Sequence, residues 1–74
     1  MLTTLDKVEE GKVVTVKEVN GEAWTRRLYQ MGVLPGSRVK VVFNRGRGPL
    51  VIQVGEAEIS IGRSIAKNIV VEID

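Results

Sequence analysis

The stretch that decides the fold is residues 27–36, which read RLYQMGVLPG. Its first half ends a helical pattern, and Gly32 stands where a residue in the left-handed conformation usually terminates a helix. Pro35-Gly36 then supplies the fixed φ and the positive φ that the two central positions of a type II turn require. The stretch therefore predicts the end of a helix, followed at once by a tight turn.

The helix that leads into this stretch is predicted over residues 22–31. Trp24, Leu28 and Met31 recur at i, i+4 and i+7, so they form one apolar stripe along the helix. We expect this stripe to pack on the rest of the protein, with Trp24 and Leu28 in the core. Tyr29 lies off the stripe and is expected to be partly exposed.

Outward from the helix, short blocks of alternating apolar residues indicate strands, because side chains in a strand alternate between its two faces. The predicted strands are residues 12–19, Arg38–Phe43, Leu50–Val54, Ala57–Ile61 and Ile69–Ile73. In the second of these, Val39, Val41 and Phe43 share one face, so Phe43 is also expected in the core. A helical turn is predicted at residues 63–67, before the last strand.

Five short strands, one short helix after the first of them and a helical turn before the last predict a mainly β protein. The expected architecture is a small five-stranded barrel or strongly bent sheet, since closure protects strand edges. Leu2, Leu5 and Val8, spaced three apart, predict one tight turn folded against this body. A chain of 74 residues has room for a single domain, residues 1–74.

Composition excludes several classes of protein. Cysteine is absent, which fits a reducing compartment. No apolar run is long enough for a signal peptide or a membrane span, so we expect a cytoplasmic protein without membrane insertion. Eleven basic and nine acidic residues are interspersed, which argues against a dedicated nucleic-acid binder.

The residues needed for catalysis and for transition-metal binding are also missing. Without histidine or cysteine there is no imidazole base, no thiolate nucleophile and no soft metal ligand. Two carboxylate pairs remain, Glu9 with Glu10 and Glu56 with Glu58, and a solvated surface is the favoured interpretation of both. We therefore expect no catalytic residues, no metal site and no cofactor.

Two features could instead contact a partner. The loop Arg45-Gly46-Arg47-Gly48 could hold a phosphate with backbone N–H groups and guanidinium groups, although a flexible hairpin tip is the favoured interpretation. On the helix, Arg26, Arg27 and Tyr29 lie together, and arginine and tyrosine are residue types that interfaces favour. This basic and aromatic surface is the candidate partner-binding site.

Residues 27–36 resemble the FeoA family, the small accessory proteins of bacterial ferrous-iron uptake. That family has the signature R-L-x-x-[LM]-G-[LVI]-x-P-G after its first strand. Its defined positions are filled here by Arg27, Leu28, Met31, Gly32, Val33, Pro35 and Gly36. Further positions that suit the family are Leu5, Gly11, Gly48-Pro49, Ile61, Ala66 and Ile69-Val70-Val71-Glu72. The resemblance covers nearly the whole chain.

The resemblance implies an SH3-like barrel that acts on the cytoplasmic part of FeoB, a GTPase-linked membrane permease for ferrous iron. Iron would then be the cargo of the pathway and not a ligand of this chain. The expected contact is the helix face with Arg26, Arg27 and Tyr29, together with Arg45 and Arg47 on the loop. Two alternatives remain open: a nucleic-acid-binding small barrel, and a structural module that assembles into a weak homo-oligomer.

Overall fold

The computed structural model describes all 74 residues, and the chain folds as one six-stranded antiparallel sheet with two short helices. The strands lie in the order β1-β6-β2-β3-β4-β5. In chain order the elements are β1 (Leu2–Thr4), a 3-10 turn (Leu5–Lys7), β2 (Val13–Val19), α1 (Glu22–Gln30), β3 (Arg38–Phe43), β4 (Leu50–Val54), β5 (Ala57–Ile61), α2 (Arg63–Ala66) and β6 (Ile69–Ile73). The fold measures 26 × 24 × 24 Å, so the sheet is strongly bent around its core. The mainly β class and the positions of both helices are confirmed.

One strand more is present than the five predicted. β1 has only three residues and pairs antiparallel with β6, with Thr3 opposite Val71. Three residues are too few to display an alternating pattern, and the spacing of Leu2, Leu5 and Val8 suggested a turn instead. Leu5 and Val8 are indeed buried around the 3-10 turn, whereas Leu2 is exposed.

The core follows from the alternation of apolar residues along the strands. All fourteen buried residues are hydrophobic, and no polar or charged residue is buried. The strands contribute the inward-facing pairs Val14 and Val16, Val39 and Val41, Leu50 and Ile52, and Ile69 and Val71, together with Ile61. Residues outside the strands complete the core, among them Leu28 of α1 and Val33 just after it.

Phe43 is the exception, and its predicted place in the core is wrong. Along the β3–β4 pair, Val41 lies opposite Ile52, but Phe43 lies opposite Val51, so β3 carries one extra residue. A bulge of this kind turns the following side chain to the other face of the sheet. Phe43 consequently lies on the outer face and is 39% exposed.

The end of α1 forms as the decisive stretch predicts. Gly32 has a φ of +91°, and its N–H donates to the carbonyl oxygen of Tyr29 at 3.0 Å. The N–H of Val33 donates to the carbonyl oxygen of Leu28 at 2.8 Å. These two bonds and the burial of both Leu28 and Val33 define a Schellman motif, which fixes the direction in which the chain leaves the helix.

The turn that follows is also confirmed. The N–H of Ser37 donates to the carbonyl oxygen of Leu34 at 2.9 Å, and Gly36 has a φ of +96°. The N–H of Gly36 in turn donates to the carbonyl oxygen of Val16 at 2.7 Å, which ties the turn to β2.

The longest helix, α1, has nine residues, and no helix is long and apolar enough to cross a membrane.

Candidate protein-docking surface

Helix α1 is attached to the body of the protein by few side chains. Leu28 is its one buried residue, at 3% exposure. Trp24 is half-buried against the core, and its indole N–H donates to the carbonyl oxygen of Asn20 at 2.8 Å. Met31, the third residue of the predicted stripe, is 37% exposed. The stripe therefore packs through Leu28 and part of Trp24, and most of the other helix residues face solvent.

The chain enters α1 through a glycine that the packing of Trp24 requires. Gly21, the N-cap residue, has a φ of +105°, a conformation that residues with side chains rarely adopt. A Cβ atom at this position would also collide with the indole ring of Trp24. The entry into the helix is thus fixed by backbone geometry, without a side-chain cap.

Both concave surfaces of the molecule lie along α1. The first, here called the entry groove, is open, only two of its eight lining residues are hydrophobic, and it holds Arg26 and Tyr29. Tyr29 is 43% exposed, as predicted. The residues that line the entry groove are Val19, Asn20, Gly21, Glu22, Thr25, Arg26, Tyr29 and Gln30.

The second concave surface, here called the apolar cleft, lies between α1, β5 and α2. Its volume is about 250 Å³, and six of its eight lining residues are hydrophobic. The lining residues are Trp24, Arg27, Leu28, Met31, Ile59, Ser60, Ile61 and Ile65. Arg27 is the only charged residue among them, so the cleft combines an apolar lining with one guanidinium group.

The arginines of α1 are free of ion pairs. The three salt bridges of the structure join the N-terminal ammonium to Glu72, Arg38 to Asp74 at 2.8 Å, and Arg45 to Glu10 at 3.1 Å. None of them involves α1, and both Arg26 and Arg27 are exposed. Their guanidinium groups are therefore available to an acidic partner.

The loop that carries Arg45 and Arg47 is held in place by polar contacts. The side-chain amide of Asn44 donates to the carbonyl oxygens of Asp6 and Val8 at 3.0 and 2.8 Å. Its oxygen accepts from the N–H of Gly46 at 3.0 Å and from the guanidinium of Arg63 at 2.7 Å. This arrangement is an Asx turn fastened to α2 and to the N-terminal segment.

Arg63 completes the attachment of the loop. Its Nε donates to the carbonyl oxygen of Gly48 and its Nη1 to that of Asp6, both at 3.0 Å. Neither Asn44 nor Arg63 was predicted to be an anchor. The spacing Asn44-x-Gly46 is a local signal for an Asx turn, but nothing in the sequence links Arg63 to residues 15 and 57 positions away.

The predicted partner-binding residues therefore fall on three surfaces. Arg26 and Tyr29 meet in the entry groove, whereas Arg27 lines the apolar cleft on another side of the helix. Arg45 and Arg47 lie on the anchored loop, where Arg45 pairs with Glu10 and stacks 4.9 Å from the ring centroid of Phe43. No hydrogen bond or ion pair joins this loop to α1.

Carboxylates do not gather into a metal site. No group of three or more aspartate or glutamate side chains is placed so that it could hold a metal ion. Glu56 and Glu58 are both exposed, in keeping with a solvated surface.

The sequence of this chain matches a known protein family. The model of the FeoA domain matches residues 3–73. A protein of Methanocaldococcus jannaschii, provisionally named Fe(2+) transport protein A, is 40% identical over 65 residues, which are 86% of this chain and 78% of the relative.

Two solved structures extend the likeness to the fold. The crystal structure of an iron uptake regulatory protein, FeoA, superposes with a TM-score of 0.91 at 26% identity, covering 100% of this chain and 99% of the other. FeoA of Stenotrophomonas maltophilia, described as a prokaryotic SH3 domain protein and crystallised with zinc, superposes with a TM-score of 0.84 at 30% identity, covering 95% and 89%. The match spans nearly every element of the sheet, and this chain belongs to the FeoA domain family, which is associated with ferrous-iron transport.

Proposed function

We propose that this chain is a cytoplasmic accessory protein of ferrous-iron uptake, and that it works by docking helix α1 onto the cytoplasmic part of a FeoB-type transporter. The family and its transport-related relative support the pathway. The observation that carries the docking surface is that both concave surfaces of the molecule flank the same helix.

The two sides of α1 suit different parts of a protein partner. The apolar cleft can take an aliphatic or aromatic side chain, which would bury Met31 and the exposed part of Trp24. Arg27 can form charge-assisted hydrogen bonds with an acidic side chain beside that anchor, and Arg26 can do the same in the entry groove on the other side of the helix. Large apolar side chains, arginine and tyrosine are the residue types that contribute most to binding energy at interfaces, and α1 presents all of them on its two sides.

In this proposal the chain performs no catalysis and holds no cofactor. Ferrous iron is the cargo of the transporter, which explains why an iron-transport protein can lack histidine and cysteine entirely. In this proposal the chain contributes to transport by binding the transporter through α1.

The proposal is tested by titrating ¹⁵N-labelled protein with the cytoplasmic GTPase domain of a FeoB-type transporter and with its cytoplasmic loops as peptides. We expect the largest amide shifts in α1, β5 and α2, the three elements around the apolar cleft. Residues of β1 provide an internal control and should not shift. Shifts confined to β1 and β6 would move the docking surface away from α1, and no binding to any cytoplasmic segment would refute the partner.

Self-association is a second candidate, favoured by the open edge of the sheet. β5 lies at one end of the strand order. Val54 and Ala57 flank the two-residue turn between β4 and β5, and hydrogen-bonded pairs alternate with non-hydrogen-bonded pairs from that point along the two strands. The main-chain N–H groups of Glu58 and Ser60 therefore point away from β4. An unpaired edge can add a strand from a second copy. Sedimentation equilibrium distinguishes the two proposals, because self-association gives a mass that rises with concentration when no partner is present.

A further inference from the structure

The bulge in β3 creates an apolar surface that the core does not use. It places Val42 and Phe43 side by side on the outer face of the sheet, where they are 38% and 39% exposed. Val51 lies opposite Phe43 on the same face and is half-buried. Val42, Phe43 and Val51 are here called the outer-face patch.

Cations surround this patch. Lys40 lies two residues before Val42 on the outward-facing side of β3, and Arg45 and Arg47 follow on the anchored loop. Arg45 is the one that has an acidic partner, Glu10, while Lys40 and Arg47 take part in no salt bridge.

Two acids lie nearby, Glu10, which also accepts from the N–H of Asn44 at 2.7 Å, and Glu58, which lies opposite Gln53 on the outward-facing side of β5. Three cations therefore lie near two acids, and the surroundings of the patch keep a small positive excess.

We propose that the outer-face patch and its cations bind the headgroup region of an anionic lipid bilayer. Apolar side chains that enter the interface, next to lysine and arginine that pair with anionic headgroups, are the two components of peripheral membrane attachment. The contact lies at the membrane surface and needs no spanning segment. It is separate from the docking of a protein partner at α1.

The chemistry of the patch favours lipid over nucleic acid. Single-stranded nucleic acids bind by stacking bases on aromatic rings. Val42 and Val51 have no such face, and the guanidinium of Arg45 already covers a face of Phe43 at 4.9 Å. Hydrocarbon chains need only apolar contact, which all three residues can provide.

The anchored loop also presents its cations in a fixed position. Asn44 and Arg63 hold the loop through hydrogen bonds to both of its halves, so Arg45 and Arg47 stay beside the patch without the entropic cost of ordering a free loop. Each cation near an anionic membrane contributes about fivefold to the binding constant. A patch of this size therefore gives weak and reversible attachment.

Co-sedimentation with lipid vesicles at low ionic strength tests the proposal. We expect the protein to bind vesicles of phosphatidylcholine with phosphatidylglycerol, and to remain in solution with phosphatidylcholine alone. Phe43→Ser and Val42→Ser should each weaken binding several-fold, and R45Q/R47Q, which removes two cations, should weaken it by about 25-fold. Thermal melts of these exposed variants verify that each one is folded.

Two control variants test whether vesicle binding is specific to the outer-face patch and its cations. Leu2 is 61% exposed on β1, opposite the acidic Glu72, so Leu2→Ser should leave vesicle binding unchanged. R26Q/R27Q removes two charges from α1 and should also leave it unchanged.

Three outcomes would overturn the proposal. They are equal binding to neutral and anionic vesicles, equal loss in the α1 and loop variants, and no binding to anionic vesicles, whether or not the protein binds a single-stranded oligonucleotide. None of them bears on the protein partner, because the vesicles contain no protein.

Discussion

Helix α1 and the loop at residues 44–48 both carry two arginines, yet the protein holds them in opposite ways. The helix is a regular element that buries one residue, Leu28, and leaves its arginines unpaired. The loop has no regular structure, but Asn44 and Arg63 fasten it through hydrogen bonds to distant parts of the chain.

This difference shows that a segment with regular secondary structure is not necessarily the more firmly attached one. A helix of nine residues is marginally stable by itself and depends on the few apolar contacts it makes with the core, while the rest of its surface remains available to a partner. A loop rich in glycine would be mobile unless polar groups satisfy its backbone, and here they do. Periodicity therefore predicts where an element lies and gives little information on how firmly it is attached.

The largest effect is expected from removing the apolar attachment of α1. Leu28→Ala should lower the free energy of unfolding by about 2–5 kcal/mol, because it leaves a cavity where α1 meets the core. Met31→Ala, on the same stripe but 37% exposed, is the control and should cost well under half as much. Urea denaturation of both variants gives the comparison. Equal losses in the two variants would show that the whole stripe is packed and that α1 is firmly attached.

A smaller effect is expected from removing the polar attachment of the loop. Asn44→Ala deletes four side-chain hydrogen bonds and leaves the guanidinium of Arg63 with one partner fewer. We expect a loss of about 1–3 kcal/mol, since the bonded groups are partly buried. Asn20→Ala is the matched control, because its side chain makes one exposed hydrogen bond, to Glu18. Denaturation curves that coincide for Asn44→Ala and the wild-type protein would mean that the loop is not held by this network.

The same two regions show what the sequence could and could not predict. The end of α1 was predictable because Gly32 and Pro35-Gly36 act locally, through the φ values that their own positions require. The outward position of Phe43 was not, because it depends on a bulge whose register is set by pairing with β4. Clean alternation over 38–43 gave no sign of the extra residue.

The exposure of the candidate residues on α1 was predicted, but their arrangement was not. Arg26, Arg27 and Tyr29 are exposed as expected, since all three lie off the side of α1 that Leu28 buries. Their division between the entry groove and the apolar cleft depends on where β5 and α2 lie beside the helix. Helical periodicity assigns each residue to a face of α1, but it does not show which other elements pack beside that face.

The smallest effect is expected from ferrous iron, because neither region offers a set of metal ligands. Anaerobic addition of Fe²⁺ at 100 µM should leave the melting temperature within about 1 °C of its value in Mg²⁺, the control cation. A site of micromolar affinity would add about 2.7 kcal/mol under these conditions, a rise of roughly 10 °C or more for a domain of this size. A rise of that size with Fe²⁺ alone would contradict the assignment of iron as cargo.

The central claim, that α1 rather than the anchored loop docks onto the transporter, is tested most directly by one paired binding measurement. Interferometry should compare R26E/R27E with R45E/R47E against the cytoplasmic GTPase domain of a FeoB-type transporter, both variants having been shown to melt like the wild-type protein. Each variant changes the net charge by the same amount, so general charge effects cancel. We predict that R26E/R27E weakens binding by about 1 kcal/mol or more and slows association at low salt, whereas R45E/R47E binds within about twofold of the wild-type protein. Full binding by R26E/R27E together with a loss in R45E/R47E would contradict the account.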